Sequence, residues 1–99
     1  ITHKDVFLCE GAVDLCKLLY LSRRTLYDVG RENGANVLLD EQWRCKISRP
    51  KFRKQNRFRV KIQYTAMMAR SHWPDAQRPV EIEAAKGIEG LMTILHRKK

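Results

Sequence analysis

Between Glu41 and Asp75 the chain has no acidic residue. Over the same stretch it carries ten basic ones: Arg44, Lys46, Arg49, Lys51, Arg53, Lys54, Arg57, Arg59, Lys61 and Arg70. The absence excludes a segment that neutralises itself through local ion pairs. The formal net charge is +9, so the remainder of the chain is close to neutral and the charge is concentrated in one place. Other shortages narrow the function further. The 3 cysteines and 3 histidines form no Cys-x2–4-Cys or His-x3–5-His pair of the kind that announces zinc. Cys9 and Cys16 stand two helical turns apart, so they can share a face without meeting at one ion. No Gly-rich phosphate loop of the P-loop or dinucleotide type is present. No run approaches the roughly 20 apolar residues of a membrane span, and no signal peptide is visible. An odd number of cysteines at irregular spacing points to free thiols and a reducing compartment, hence to the nucleus or cytoplasm. The opening Ile predicts a processed product or a piece of a longer protein.

What is present begins with alternation. Val37, Leu39, Trp43, Cys45 and Ile47 fall on one parity, against Asp40, Gln42, Arg44 and Lys46 on the other; only Leu38 and Glu41 break the pattern. Phe58, Val60, Ile62, Tyr64, Ala66 and Met68 then alternate with Arg57, Arg59, Lys61, Gln63 and Thr65. Successive side chains of a strand point to opposite faces, so both runs have an apolar and a wet face. Strands near 36–48 and 57–68 therefore predict a long antiparallel hairpin with its apolar face on a core. The connection is longer than usual hairpin loops, and Pro50 ends the first strand near Ser48.

From 12 to 33, Leu15, Leu18, Leu19, Ser22, Leu26 and Val29 recur at three- and four-residue steps, the stripe of an amphipathic helix. Gly34 stands where a helix C-terminus needs a left-handed residue. Gly30 lies inside the pattern, as a close helix–sheet approach or a frayed final turn would require. Residues 1–10 fit either a strand closed by Gly11 or the first turns of a helix. Residues 71–79, with two prolines, read as an irregular crossing segment. A short helix near 80–86, a turn bracketed by Gly87 and Gly90, a strand near 91–96 and a solvated end complete the chain. The expectation is a single α+β domain over 1–99: a small antiparallel sheet built on the hairpin, packed by one main helix, in a β-α-β-β-α-β-like order. A hydrophobic content of 43% supports a folded core, not a basic tail.

After its helix the chain reads Gly34-Ala35-Asn36-Val37-Leu38 and enters the first hairpin strand. This resembles the bacterial heavy-metal-binding family of unknown function, in which a helix ends in a similar Gly-Ala-Asn turn and feeds a strand pair. The stretches 36–47 and 57–70 also look like uncharacterised fungal proteins of similar layout. Over residues 12–68 the resemblance implies a small α/β sandwich of a type that associates through its sheets. It brings no catalytic residue, its metal has no matching Cys or His pair here, and the basic face departs from its pattern.

Catalytic arrangements are equally sparse. His72 with Asp75 is the nearest approach to a base and its orienting carboxylate, but it lies in a Pro-flanked loop. Asp40 and Glu41 are adjacent in a strand and so point to opposite faces, which excludes paired acid–base work between them. Cys45 has core parity and reads as a small buried hydrophobe. The expected function is therefore a non-enzymatic module, without cofactor or metal, that binds DNA or RNA by releasing counterions from phosphates. Its expected site is Arg44, Lys46, Arg57, Arg59 and Lys61 on the wet face, extended by Arg49, Lys51, Arg53 and Lys54 in the loop, with Phe52 placed to stack on a base. The alternative is a protein-interaction or oligomerisation domain with an incidental basic surface. Exposed sheet edges, together with Trp43, Tyr64, Met67 and Met68, make a homodimer through the sheet the assembly to expect in that case.

Overall fold

The computed structural model describes residues 1–49 and 56–98. Strand β1 (Thr2–Glu10) leads into helix α1 (Leu15–Glu32), followed by the hairpin strands β2 (Val37–Ser48) and β3 (Arg57–Ala69). A single 3-10 turn (Ile82–Ala84) precedes β4 (Thr93–Lys98). The strands form one antiparallel sheet in the order β2-β3-β1-β4, and α1 packs on one face of it. Because β3 lies between β1 and β2, the strands joined by α1 are the outer members of a split β-α-β unit. This is the α+β architecture expected from the sequence, with the sheet open at both edges.

The ambiguous N-terminal stretch is a strand. Asp5, Phe7 and Cys9 are buried and alternate with less buried neighbours, and β1 pairs with β3 from Thr2↔Thr65 to Glu10↔Arg57. A carboxylate at a core position disguised the alternation. Helix α1 starts after Asp14, whose side chain accepts from the Lys17 N–H at 3.1 Å. It ends before Gly34, which has the left-handed φ of 85° expected there. Leu15, Leu18, Leu19, Ser22 and Leu26 are buried as the stripe predicted, but Val29 is exposed and Gly30 takes its place against Met68.

Two other expectations are corrected. The segment near 80–86 is only one 3-10 turn. Glu81 before it adopts a left-handed φ of 50°, and the chain after it docks in extended form, with N–H to O bonds of 2.9 Å in both directions between Val13 and Ile88. Gly87 permits the approach: a Cβ there would fall 1.9 Å from the Val13 carbonyl oxygen. The last strand runs later than the expected 91–96: Arg97 and Lys98 belong to it, and of the end expected to be solvated only Arg97 is half-buried among the described residues.

The break in the hairpin's alternation is a β-bulge. Leu39 opposes Met67 and Gln42 opposes Thr65, so Asp40 and Glu41 together face Ala66. Asp40 takes the left-handed conformation, φ 50°, that a short polar side chain tolerates. The extra residue exchanges the faces of the strand. Leu38, not Leu39, belongs to the core, whereas Leu39 is 48% exposed opposite Met67. Beyond the bulge, Trp43 and Ile47 turn toward the helix side, and the Trp43 indole N–H donates to the Val80 carbonyl at 2.8 Å.

Glu41 shares the inward side of Trp43 and accepts there from the buried Arg23 guanidinium and from the Tyr64 hydroxyl at 2.8 Å. Arg23 donates at 2.8 and 3.0 Å to Asp75, which also accepts from the Leu38 N–H at 3.0 Å. Helix, bulge and crossing segment thus meet on one guanidinium. A second cluster ties α1 to β1 and β4: Asp5 accepts from Ser22 Oγ at 2.6 Å and from Arg97 at 2.9 and 3.0 Å. Arg97 also donates to Thr25 Oγ1 at 2.9 Å, and its guanidinium lies 5.2 Å from the Phe7 ring centre.

Burial disfavours the charge on both carboxylates, but their hydrogen bonds outweigh it. Those from Arg97 and Ser22 hold Asp5 below the usual carboxylate range, and those from Arg23 and the Leu38 and Gln77 N–H groups do the same for Asp75. A depressed folded pKa contributes stability that is present above the unfolded value and lost as pH falls through the folded one. Denaturation midpoints are therefore expected to fall as pH is lowered from about 4 to 2. Arg23→Met leaves two carboxylates facing each other without their cation and is expected to cost about 3–5 kcal/mol at pH 7. Because Asp75 then loses the partner that depresses its pKa, the acid sensitivity of the variant should also be shallower. Urea titrations at pH 7 and pH 3 check both; an unchanged midpoint at pH 7 would remove the clamp from the account of stability.

Candidate nucleic-acid interface

A single helix covers a single face. Since Phe58, Val60, Ile62 and Tyr64 are buried beneath α1, the residues between them, Arg57, Arg59, Lys61 and Gln63, project from the opposite, uncovered face. The pairing registers align this face in rows across the sheet. One row is Arg44, Gln63, Lys4; the next is Lys46, Lys61, Val6, Lys98; the third is Ser48, Arg59, Leu8, His96. The row after that contains the acid Glu10, whose carboxylate is taken up by Arg57 at 3.2 Å. Lys4, Arg44, Lys46, Arg59, Lys61 and Lys98 have no ion pair among the described residues. Lys46 stands directly opposite Lys61. Like charges in that position are destabilising.

Of the expected site residues, Arg44, Lys46, Arg59 and Lys61 lie together on this face. Arg57 lies at its rim, tied to Glu10. Arg49 is elsewhere: its guanidinium sits 5.1 Å from the ring centre of Phe58, on the helix side. Lys51, Phe52, Arg53 and Lys54, the expected finger and stacking residue, fall outside the described residues. Arg70 donates to the Gly34 carbonyl at 2.9 Å, away from the rows. The structure adds Lys4 and Lys98, and with them Val6, Leu8 and His96. The signal for the first was the period-two pattern of residues 4–9, once Asp5 is accepted as a core residue. The end of the last strand had no comparable signal, because the inward residue that follows Ile94 is the charged Arg97.

No Phe, Tyr or Trp side chain lies on these rows; Phe7, Phe58, Tyr64 and Trp43 all face the helix side. Two shallow depressions mark the surface instead. One, of about 420 Å³, lies among Lys4, Arg44, Lys46, Lys61 and Gln63. The other, of about 320 Å³, has Val6 and Leu8 beneath Arg59, Lys61, His96 and Lys98. They share Val6 and Lys61.

Elsewhere the polar clusters are closed. Ser22, Asp5 and His3 converge, but the Ser22 hydroxyl donates to Asp5 and the His3 imidazole contacts that same carboxylate at 3.0 Å. Ser22 is fully buried and has no base to activate it. Asp75 is engaged by Arg23 and by the N–H groups of Leu38 and Gln77, not by His72. No group of three or more His, Cys, Asp or Glu that could hold a metal ion occurs among the described residues. Nor is any helix there long and apolar enough to cross a membrane.

No family model, curated protein or solved structure matches this chain.

The cysteines are free, with Cys9 buried, Cys16 half-buried and Cys45 exposed. The last corrects the expectation of a buried thiol. Cys45 keeps its helix-side parity opposite Ile62, but β2 is an edge strand and Cys45 lies outside the buried core. A thiol reagent added to the native protein is therefore expected to modify Cys45 first and Cys9 only on unfolding. Reaction rates of Cys45→Ser and Cys9→Ser variants, read against the parent, check the order.

Proposed function

We propose that this domain is a non-enzymatic nucleic-acid-binding module whose phosphate-contacting surface is the uncovered face of its sheet. The observation that carries the reading is Lys46 set directly opposite Lys61, with Lys98 in the same row and no acid beside them. A face selected only for solubility would intersperse both signs. Concentrated charge of one sign has a function when a polyanion supplies the missing counter-charge and releases its own condensed cations. The absence of Phe, Tyr and Trp from the rows favours contacts to phosphate and sugar over the stacking of several successive bases. Free thiols fit a reducing compartment, and hence the nucleus or cytoplasm.

A second reading, a domain that self-associates through the sheet, draws on one observation: Leu39 and Met67 oppose each other on the same face and are 48% and 57% exposed. They lie at the end of the face away from the cationic rows, so assembly and anion binding need not compete.

Engagement of five or six free cations gives a slope of log affinity against log salt of about −4.5 to −5.4 for duplex DNA, or about −3.5 to −4.2 for a single strand. Lys61→Gln removes the like-charge opposition, so it should leave the fold equally stable or stabilise it by a few tenths of a kcal/mol. The same change should weaken binding and make the slope shallower by about one phosphate's worth. Fluorescence anisotropy across several salt concentrations, with thermal melts of both proteins, measures the pair. Affinity indifferent to both salt and Lys61→Gln would transfer the case to the self-association reading.

A further inference from the structure

The two depressions on the open face differ in chemistry and touch. The first gathers Lys4, Arg44, Lys46 and Lys61 around Gln63, which is a setting for phosphate and for a polar edge. The second has an apolar floor, Val6 and Leu8, both on β1 and both half-buried. Its walls come from the strands on either side: Arg59 and Lys61 on β3, His96 and Lys98 on β4. Neighbouring strands are about 4.8 Å apart, so the Arg59–Lys61 column and the column ending in Lys98 flank the apolar one at a separation of about 10 Å. Along β1, Val6 and Leu8 are about 6.7 Å apart, which makes a floor the size of a planar ring system.

A flat apolar floor between cations matches a nucleotide whose base lies face-down while its phosphates reach to either side. A duplex cannot offer this, because its base faces are already stacked on one another and only edges and backbone are presented. An unpaired strand offers a free face at every base.

Resting on the reading above, we infer that the open face takes a single strand in preference to a duplex, with one base seated on Val6 and Leu8 and the adjoining phosphates held by Lys61, Lys46 and Arg44. The seat is aliphatic, so it accepts any base and gains from ring area, with little selection by sequence. Gln63 is placed beside the seat on β3 to donate to or accept from a sugar or base edge.

The test uses three fluorescein-labelled probes at one salt concentration: a 12-nucleotide oligo-dA strand, an abasic strand with the same number of phosphates, and the duplex of the first with oligo-dT. The oligo-dA strand is expected to bind about fivefold or more tightly than either control, since stacking adds to an electrostatic contribution that the abasic strand retains. Leu8→Thr keeps a strand-forming residue but removes the floor. It should erase the preference for oligo-dA over the abasic strand while leaving affinity for the abasic strand and the salt slope unchanged. Val6→Tyr supplies an aromatic seat and should widen the preference. Circular dichroism melts confirm that both variants remain folded. Equal affinity for the oligo-dA and abasic strands, a duplex bound as tightly as the single strand, or a preference unaltered by both substitutions overturns the inference, while salt-dependent binding of all three probes leaves the polyanion reading standing. Failure of all three probes to bind removes that reading as well.

Discussion

One extra residue in β2 governs much of this molecule. Without the bulge at Asp40 and Glu41, the strand would present Leu39 and Glu41 on the same face as Trp43, and Leu38 on the same face as Arg44. With it, Leu38 reaches the core and Leu39 turns outward, while Glu41, Trp43 and Ile47 stay inward, Glu41 against Arg23, and Arg44 and Lys46 stay outward. The buried guanidinium then holds Asp75, and through it the crossing segment that returns the chain toward β4. A bulge is a local deformation, but its consequence here is to let Leu38 enter the core on a strand that keeps its paired charge, Glu41, inside and the cations Arg44 and Lys46, which have no ion pair among the described residues, outside.

That separation is also an energetic division. The internal ions are costly to desolvate and are retained because each carboxylate has several donors; removing one partner costs more than the pair contributes in net terms. The external ions are well solvated but repel one another, most directly at Lys46 and Lys61. The fold therefore tolerates a small destabilisation on its open face, secured by the helix, the core around Phe7, Val60 and Tyr64, and the two ion clusters on the other. On the function proposed, the free face is where a polyanion would relieve that repulsion, and the apolar strip at Val6 and Leu8 is where a base-bearing strand would differ from charge alone.

How much of this was legible beforehand varies by element. The hairpin, the main helix, the Gly34 cap and the basic wet face follow from period-two and period-3.6 patterns that long segments state clearly. Where a segment placed a charge inside, the pattern failed. Asp5 left β1 open between strand and helix, Arg97 hid the end of β4, and Glu41 looked like a simple irregularity; all three are core-side charges with partners far away in sequence. Cys45 misled in the opposite sense, since parity assigns a face but cannot say whether anything covers it.

The sequence alone determined the class of fold, the principal strands and helix, and the concentration of cations between Glu41 and Asp75, because all of these are written in neighbouring residues. Tertiary structure alone decided that Lys4 and Lys98 join Lys46 and Lys61 in the same part of the sheet, that Arg49 and Arg70 do not, and that Val6 and Leu8 lie between β3 with Arg59 and Lys61 and β4 with Lys98. The physical reason is strand order. A site built across four strands is defined by which strand pairs with which, and in what register, and hydrogen bonds between distant segments set both.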